Sequence, residues 1–107
     1  MVEHQLDETF AALADPTRRA ILGRLREGPL TVSAIAEPIP MSLAAVSKHL
    51  RVLERAGLLQ RDVRGREHHC SLVAEPLREA ADWTDRYRAF WEGRLDALAR
   101  YLDGDAR

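Results

Sequence analysis

Four stretches of this 107-residue chain carry residue types whose spacing could do chemistry. The first begins at Ser42. At helical spacing, Val46, Leu50 and Leu53 turn to one side and Ser42, Ala44, Ala45, Ser47, Lys48 and Arg51 to the other. Short side chains in a helix's first turns let its backbone sink into a DNA major groove. Serine hydroxyls can bond base edges or phosphates there, and Lys48 and Arg51 supply positive charge. An ordinary surface helix with a basic edge would carry the same residues, so the neighbouring elements must decide between the two. The second stretch, Arg64-Gly65-Arg66, reads as a tight turn with a cation on each side of a glycine that can take a positive φ.

The third stretch is His68-His69-Cys70. On a strand, His68 and Cys70 share a face and His69 points away. Two ligands do not complete a tetrahedral metal site, so His4 or a second copy would have to supply the rest. Alternation with Leu72 puts Cys70 on the buried side, where a lone cysteine is usually a small apolar filler. A metal- or redox-responsive site at His68 and Cys70 stays open as a second reading. His49 suits a groove-edge or capping role better than a ligand's. The fourth stretch is a stripe of Trp83, Tyr87, Phe90, Trp91, Leu95, Leu98 and Leu102 at intervals of three or four. Five of the six aromatic residues fall between Trp83 and Tyr101, which suits either the chain's own core or an interface with a partner.

Enzyme signatures are missing. There is no glycine-rich phosphate loop, no His-Glu-x-x-His and no Gly-x-Ser-x-Gly. Ser47 and His49 stand two apart on a helix, so their side chains diverge. No catalytic residue, cofactor or metal is expected. The net charge of −1 hides an uneven distribution. From Met41 to Leu72 six basic residues face three acidic ones, a net of +3; from Glu75 to Arg107 six face eight, a net of −2. A basic middle between more acidic ends gives polyanions one face and leaves other surfaces for something else. No run approaches the ~20 apolar residues of a membrane span. The polar, acidic start from Met1 to Asp7 does not read as the core of a secretion signal, and the lone cysteine fits a reducing cytoplasm.

The elements that must position these residues follow from local signals. A first helix is expected over His4–Ala14, with Leu6, Phe10 and Leu13 on one side. Asp15 then caps, and Pro16 opens, a second helix that runs to about Arg26 with Ile21, Leu22 and Leu25 inward. Gly28-Pro29 ends it. Thr31 caps a short third helix, with Val32, Ile35 and Ala36 inward, which Pro38 halts. After the turn Ile39-Pro40-Met41, Ser42 opens the amphipathic helix of Leu43, Val46, Leu50, Leu53 and Ala56, stopped by Gly57. Leu58–Val63 and Glu67–Leu72 read as a hairpin, and a single long helix is expected over Pro76–Leu102. At 1.5 Å per residue that helix is roughly 35–40 Å long, more than so small a body can cover.

The expected fold is therefore mainly α with a small β-hairpin: one winged helix-turn-helix domain over residues 1–107. Residues 31–57 form the helix-turn-helix and 58–72 the wing. Helices over 1–14 and 76–102 are left for dimerisation.

Two motifs add a family resemblance. Phe10-x-x-Leu13-Ala14-Asp15-Pro16-Thr17-Arg18-Arg19-x-Ile21-Leu22 resembles the opening of ArsR-type repressors. So does Met41-Ser42-Leu43-Ala44-Ala45-Val46-Ser47-Lys48-His49-Leu50-Arg51-Val52-Leu53-Glu54-Arg55-Ala56-Gly57-Leu58 with the Gly65-Arg66 wing after it. The resemblance implies a homodimeric winged-helix regulator that binds double-stranded DNA at an operator and usually represses. By the same match Ser42, Ala44, Ala45, Ser47, Lys48 and His49 lie on the recognition helix and Arg64 and Arg66 at the wing tip. Thr31 would lie beside a phosphate. The first and last helices would form the dimer interface, through Leu6, Phe10, Trp83, Tyr87, Phe90, Trp91, Leu95 and Leu98. One metal site of the family uses Cys-x-Cys where this chain has Thr31-Val32-Ser33-Ala34-Ile35-Ala36. Another uses histidines on the last helix, where this chain has none. The resemblance is thus to the branch without the usual metal ligands. An interaction module whose aromatic helix binds a different protein remains the rival from another class.

Overall fold

The computed structural model describes residues 2–105, with side chains described for 5–104. The order is α1 (Val2–Leu13), α2 (Pro16–Leu25), β1 (Leu30–Thr31), α3 (Val32–Ala36), α4 (Leu43–Arg55), β2 (Leu59–Arg64), β3 (Glu67–Leu72), α5 (Glu75–Asp85) and α6 (Arg88–Arg100). A π-helical turn over Tyr101–Asp105 comes last.

The helix ends obey the local signals. The Asp15 carboxylate accepts the Arg18 N–H at 3.1 Å, and Pro16 starts α2 where no N–H is needed. Thr31 Oγ1 accepts from Ala34 N, and Ser42 Oγ from Ala45 N, each at 3.1 Å. At the far end of α4, Gly57 takes φ +80°. Its N–H donates to Glu54 O at 3.0 Å and that of Leu58 to Leu53 O at 2.9 Å. This is the paired ending that suits a glycine in the left-handed region. Leu53 and Leu58, which that ending brings together, are both fully buried.

The core lies between α1, α2, α3, α4 and the sheet. Ala12, Ile21, Leu22, Leu25, Ile35, Val46, Leu50, Leu53, Ala56, Leu58 and Leu59 form it, with Cys70 fully buried among them. The strand order is β1-β3-β2, antiparallel throughout. Leu59 pairs with Leu72 and Arg64 with Glu67, leaving Gly65-Arg66 as a two-residue loop. Gly65 has φ +63° and no non-glycine residue has a positive φ among those described, the pattern of a type II′ turn.

Several expectations need correction. The last helix is not continuous: it breaks at Arg86-Tyr87. The Thr84 hydroxyl donates to Ala81 O, a back-bond that bends helices, and the Tyr87 N–H closes a short three-residue loop to Thr84 O. The first helix ends at Leu13, one residue early. The strand β1 was not foreseen; its two residues pair with Cys70 and His69 and tie the start of α3 to the wing. Leu43 is 61% exposed rather than inward, because the first turn of α4 overhangs the core.

The shape is elongated, 68 × 34 × 21 Å, with a radius of gyration of 18.6 Å where about 13 Å is usual for a compact chain of this length. The cause is α6, none of whose residues is buried. Among the described residues no helix is long and apolar enough to cross a membrane.

Candidate nucleic-acid interface

On α4 the buried Val46, Leu50 and Leu53 fix which way every other residue points. At 100° per residue, Ala44, Lys48, Arg51 and Arg55 project away from the core, and all four are exposed. Ser47 and Glu54 lie on the flank toward the wing. Ala45 and His49 lie on the opposite flank, toward α1 and α2. Ser42 is exposed at the tip, its oxygen engaged in the cap and its O–H able to donate outward.

The structure sets His49 apart from the other expected contact residues. Its Nδ1 stands 3.1 Å from Arg18 Nη1 and 3.9 Å from the Asp15 carboxylate. Arg18 in turn donates from Nε to Ala12 O at 2.7 Å and from Nη2 to Ala11 O at 3.1 Å, while Arg19 donates to Leu13 O at 2.7 Å. The two arginines therefore cap the carbonyl end of α1, where unpaired carbonyls carry partial negative charge. Asp15 caps the amide end of α2, and His49 docks α4 onto the joint. The Arg18 N–H, aided by the charges of His49 and Arg18, holds the Asp15 carboxyl below its ordinary range against the opposing effect of burial.

The wing brings further cations close. Arg64 and Arg66 are exposed at its tip, with Arg64 Nε paired to Asp62 at 3.0 Å. Between α3, α4 and the wing lies a recess of about 310 Å³ lined by Thr31, Val32, Ser33, Ser47, Arg61, Arg66, Glu67 and His68. It gathers Thr31, Ser47 and Arg66, three of the expected contact residues, from three separate elements. Arg61, Ser33 and His68 line it as well, and none of them is among the residues expected from the sequence to meet DNA. Arg61 shares a strand face with the buried Leu59, and the signal for it was a cation at an inward strand position with Glu54 seven residues earlier. Arg61 Nη2 donates to Glu54 Oε1 at 3.3 Å, and Nη1 stands 3.5 Å from His68 Nδ1.

His68 and Cys70 share a face of β3 as read from the sequence, but His68 is exposed near the wing tip and Cys70 is fully buried. Burial holds the Cys70 thiol above its usual range; Arg61 opposes the shift and Glu54 adds to it. The neutral thiol is the weaker nucleophile and ligand. His69 Nε2 pairs with Glu67 at 3.3 Å. Among the described residues no three His, Cys, Asp or Glu side chains converge, and His4 lies outside the described side chains.

The expected interface residues occupy α1 and α5–α6. The rings of Phe10 and Trp83 meet edge-on at 5.8 Å, and Trp83 lies against Tyr87 at 5.4 Å. Leu6 is half-buried. Tyr87, Phe90, Trp91, Leu95 and Leu98 are each about half exposed or more. Thus one end of the aromatic stripe packs inside the chain and the rest faces outward.

A family model described as a helix-turn-helix domain matches residues 13–61. The chain is 41% identical over 99 residues to the HTH-type transcriptional regulator Rv2034 of Mycobacterium tuberculosis, covering 92% of this chain and 90% of that protein. It is 33% identical over 78 residues to the transcriptional repressor SdpR of Bacillus subtilis, covering 73% and 87%. The crystal structure of an ArsR family transcriptional regulator superposes with a TM-score of 0.78 at 42% identity, covering 84% of this chain and 93% of that one. An ArsR-like regulator from Rhodococcus sp. RHA1 does so at 0.70 and 32%, covering 95% and 96%. The pair of sequence motifs, the helix-turn-helix with its wing and these near full-length likenesses agree: the chain belongs to the ArsR-type winged helix-turn-helix family, and is a DNA-binding transcriptional regulator rather than an enzyme.

Proposed function

We propose that two copies of this chain pair through α1, α5 and α6 and set their α4 helices on the two halves of a palindromic operator, repressing the promoter there. The observation that carries this reading is the division of the surface. One side presents Ser42, Ala44, Lys48 and Arg51 on α4 with Arg64 and Arg66 beside them, and α5–α6 present exposed Tyr87, Phe90, Trp91, Leu95 and Leu98. A stripe of that size on a small monomer calls for a partner. A second copy related by a two-fold axis is the simplest one, and it duplicates the reading helix to match a palindrome. Small residues on α4 would choose the bases, and the cations would bind phosphates and supply most of the affinity. Repression is carried over from relatives named as repressors, SdpR among them. The reading needs no metal or cofactor, and it places the protein in the cytoplasm with the DNA.

Sedimentation of the purified chain together with fluorescence anisotropy on genomic fragments at two salt concentrations tests it. The expected result is a dimer that selects particular fragments, with affinity falling steeply as salt rises. A monomer, or binding without sequence preference, would count against the reading. A metal- or redox-responsive protein would instead show an operator Kd that moves with zinc or with oxidant.

A further inference from the structure

We propose that Arg61 binds a DNA backbone phosphate in the recess between α3, α4 and the wing, and that Glu54 both aims this arginine and holds down its affinity. The inference rests on α4 and the wing being the DNA face.

The recess is built like an anion seat. Arg61 and Arg66 bring charge, Ser33 and Ser47 bring hydroxyls, and they come from β2, the wing loop, α3 and α4, so donors reach one point from several sides. It adjoins the expected contacts, since Ser47 precedes Lys48 on α4 and Arg66 is at the wing tip. Arg61 is oriented before any DNA arrives: Glu54 holds Nη2 at 3.3 Å and His68 Nδ1 faces Nη1 at 3.5 Å. A guanidinium has five N–H donors and these contacts use two, so three remain for a phosphate. A guanidinium can only donate, so His68 Nδ1 must accept. One acid, Glu67, also lines the recess, and it is paired with His69 at 3.3 Å. Glu54 is the second negative charge nearby. It keeps Arg61 in position, but it also repels an entering phosphate.

Two substitutions separate these effects. Arg61→Gln should weaken binding about tenfold, equally for operator and unrelated DNA, because a phosphate contact carries no sequence information. The slope of log affinity against log salt should become shallower by about 0.9. Glu54→Gln keeps an oxygen to accept from Arg61 and removes the charge, so binding should tighten several-fold. A purely structural Arg61–Glu54 pair would show no such gain. Anisotropy titrations at four salt concentrations, with thermal melts of each variant, read both. Unchanged affinity and slope in Arg61→Gln would overturn the proposal. If that variant fails to fold, Glu54→Gln decides, and equal or weaker binding overturns it. A wild-type chain that binds no DNA at low salt defeats the DNA-face reading itself, whereas normal wild-type binding with both variants unchanged defeats only the role of Arg61.

Discussion

Lys48 and His49 are neighbours on α4 in opposite surroundings. Among the described residues no ion pair or hydrogen bond holds the Lys48 ammonium, which projects from the outer face, whereas His49 is held by Arg18 and Asp15. Lys48→Ala should therefore weaken binding to every DNA sequence alike and flatten the salt slope by about 0.9, with the melting temperature unmoved. An unchanged slope in an anisotropy titration would remove Lys48 from the phosphate contacts. Asp15 carries a different expectation. Its folded-state pKa is depressed, chiefly by the Arg18 N–H, so the stability it adds is present above the ordinary carboxyl value of 3.8 and lost as pH falls below it. Asp15→Asn keeps the cap and removes the titration. Urea denaturation of wild type and Asp15→Asn should show a constant gap at neutral pH that narrows as the pH is lowered through the carboxyl range. A gap independent of pH would mean that the Asp15 charge does not couple to folding.

Among the elements, α4 is the most sharply defined, capped by Ser42 and stopped at Gly57. Ser42→Ala should cost about 1 kcal/mol of stability in a denaturation experiment, as lost caps typically do. Its first turn also gives the cleanest test of groove entry. Ala44 projects outward and Ala45 is half-buried, so a large residue at Ala45 mixes a packing cost with a lost contact. Ala44→Phe should lower operator affinity more than tenfold by holding the backbone off the bases, while sedimentation and melting stay as in wild type. Signals of this local kind were the legible ones. Asp15-Pro16, Thr31, Ser42, Gly57 and Gly65 each state a cap, a stop or a turn through their own backbone preferences, and α4's buried face is written in its spacing. Illegible were the features that depend on distant residues. The strand β1 exists because β3 comes alongside it, and Arg61's role depends on Glu54 and the recess. His49 looks like a groove residue until α2 supplies Arg18. The break at Arg86-Tyr87 is hidden because the aromatic spacing runs on through it.

At the scale of the whole molecule, a chain with a complete core keeps a second, uncovered apolar surface. Twelve buried apolar residues, among them Cys70, already join α1, α2, α3, α4 and the sheet, and α6 adds none to them. The helix is thus dispensable to the core, yet it carries Phe90 at 61% and Leu95 at 57% exposure in a protein that extends 68 Å. Left in water, such a surface favours association, and the break after Asp85 turns α6 away from the body where a partner can reach it. The Phe10–Trp83 contact anchors the near end of the stripe to α1. Trp91→Glu puts a charge in the middle of this surface without touching the core. If a second copy covers it, the dimer dissociation constant should rise about a hundredfold, the scale of losing a central aromatic anchor. The monomer should keep its helix content and a cooperative melt, and operator affinity should fall because two half-sites no longer bind as one unit. Sedimentation, circular dichroism and anisotropy on one preparation distinguish the outcomes. A variant that stays dimeric would place the two-fold axis elsewhere, and one that unfolds would show that α6 supports the monomer. A dimer lost with operator affinity intact would uncouple the aromatic surface from DNA binding and favour a different protein as its partner.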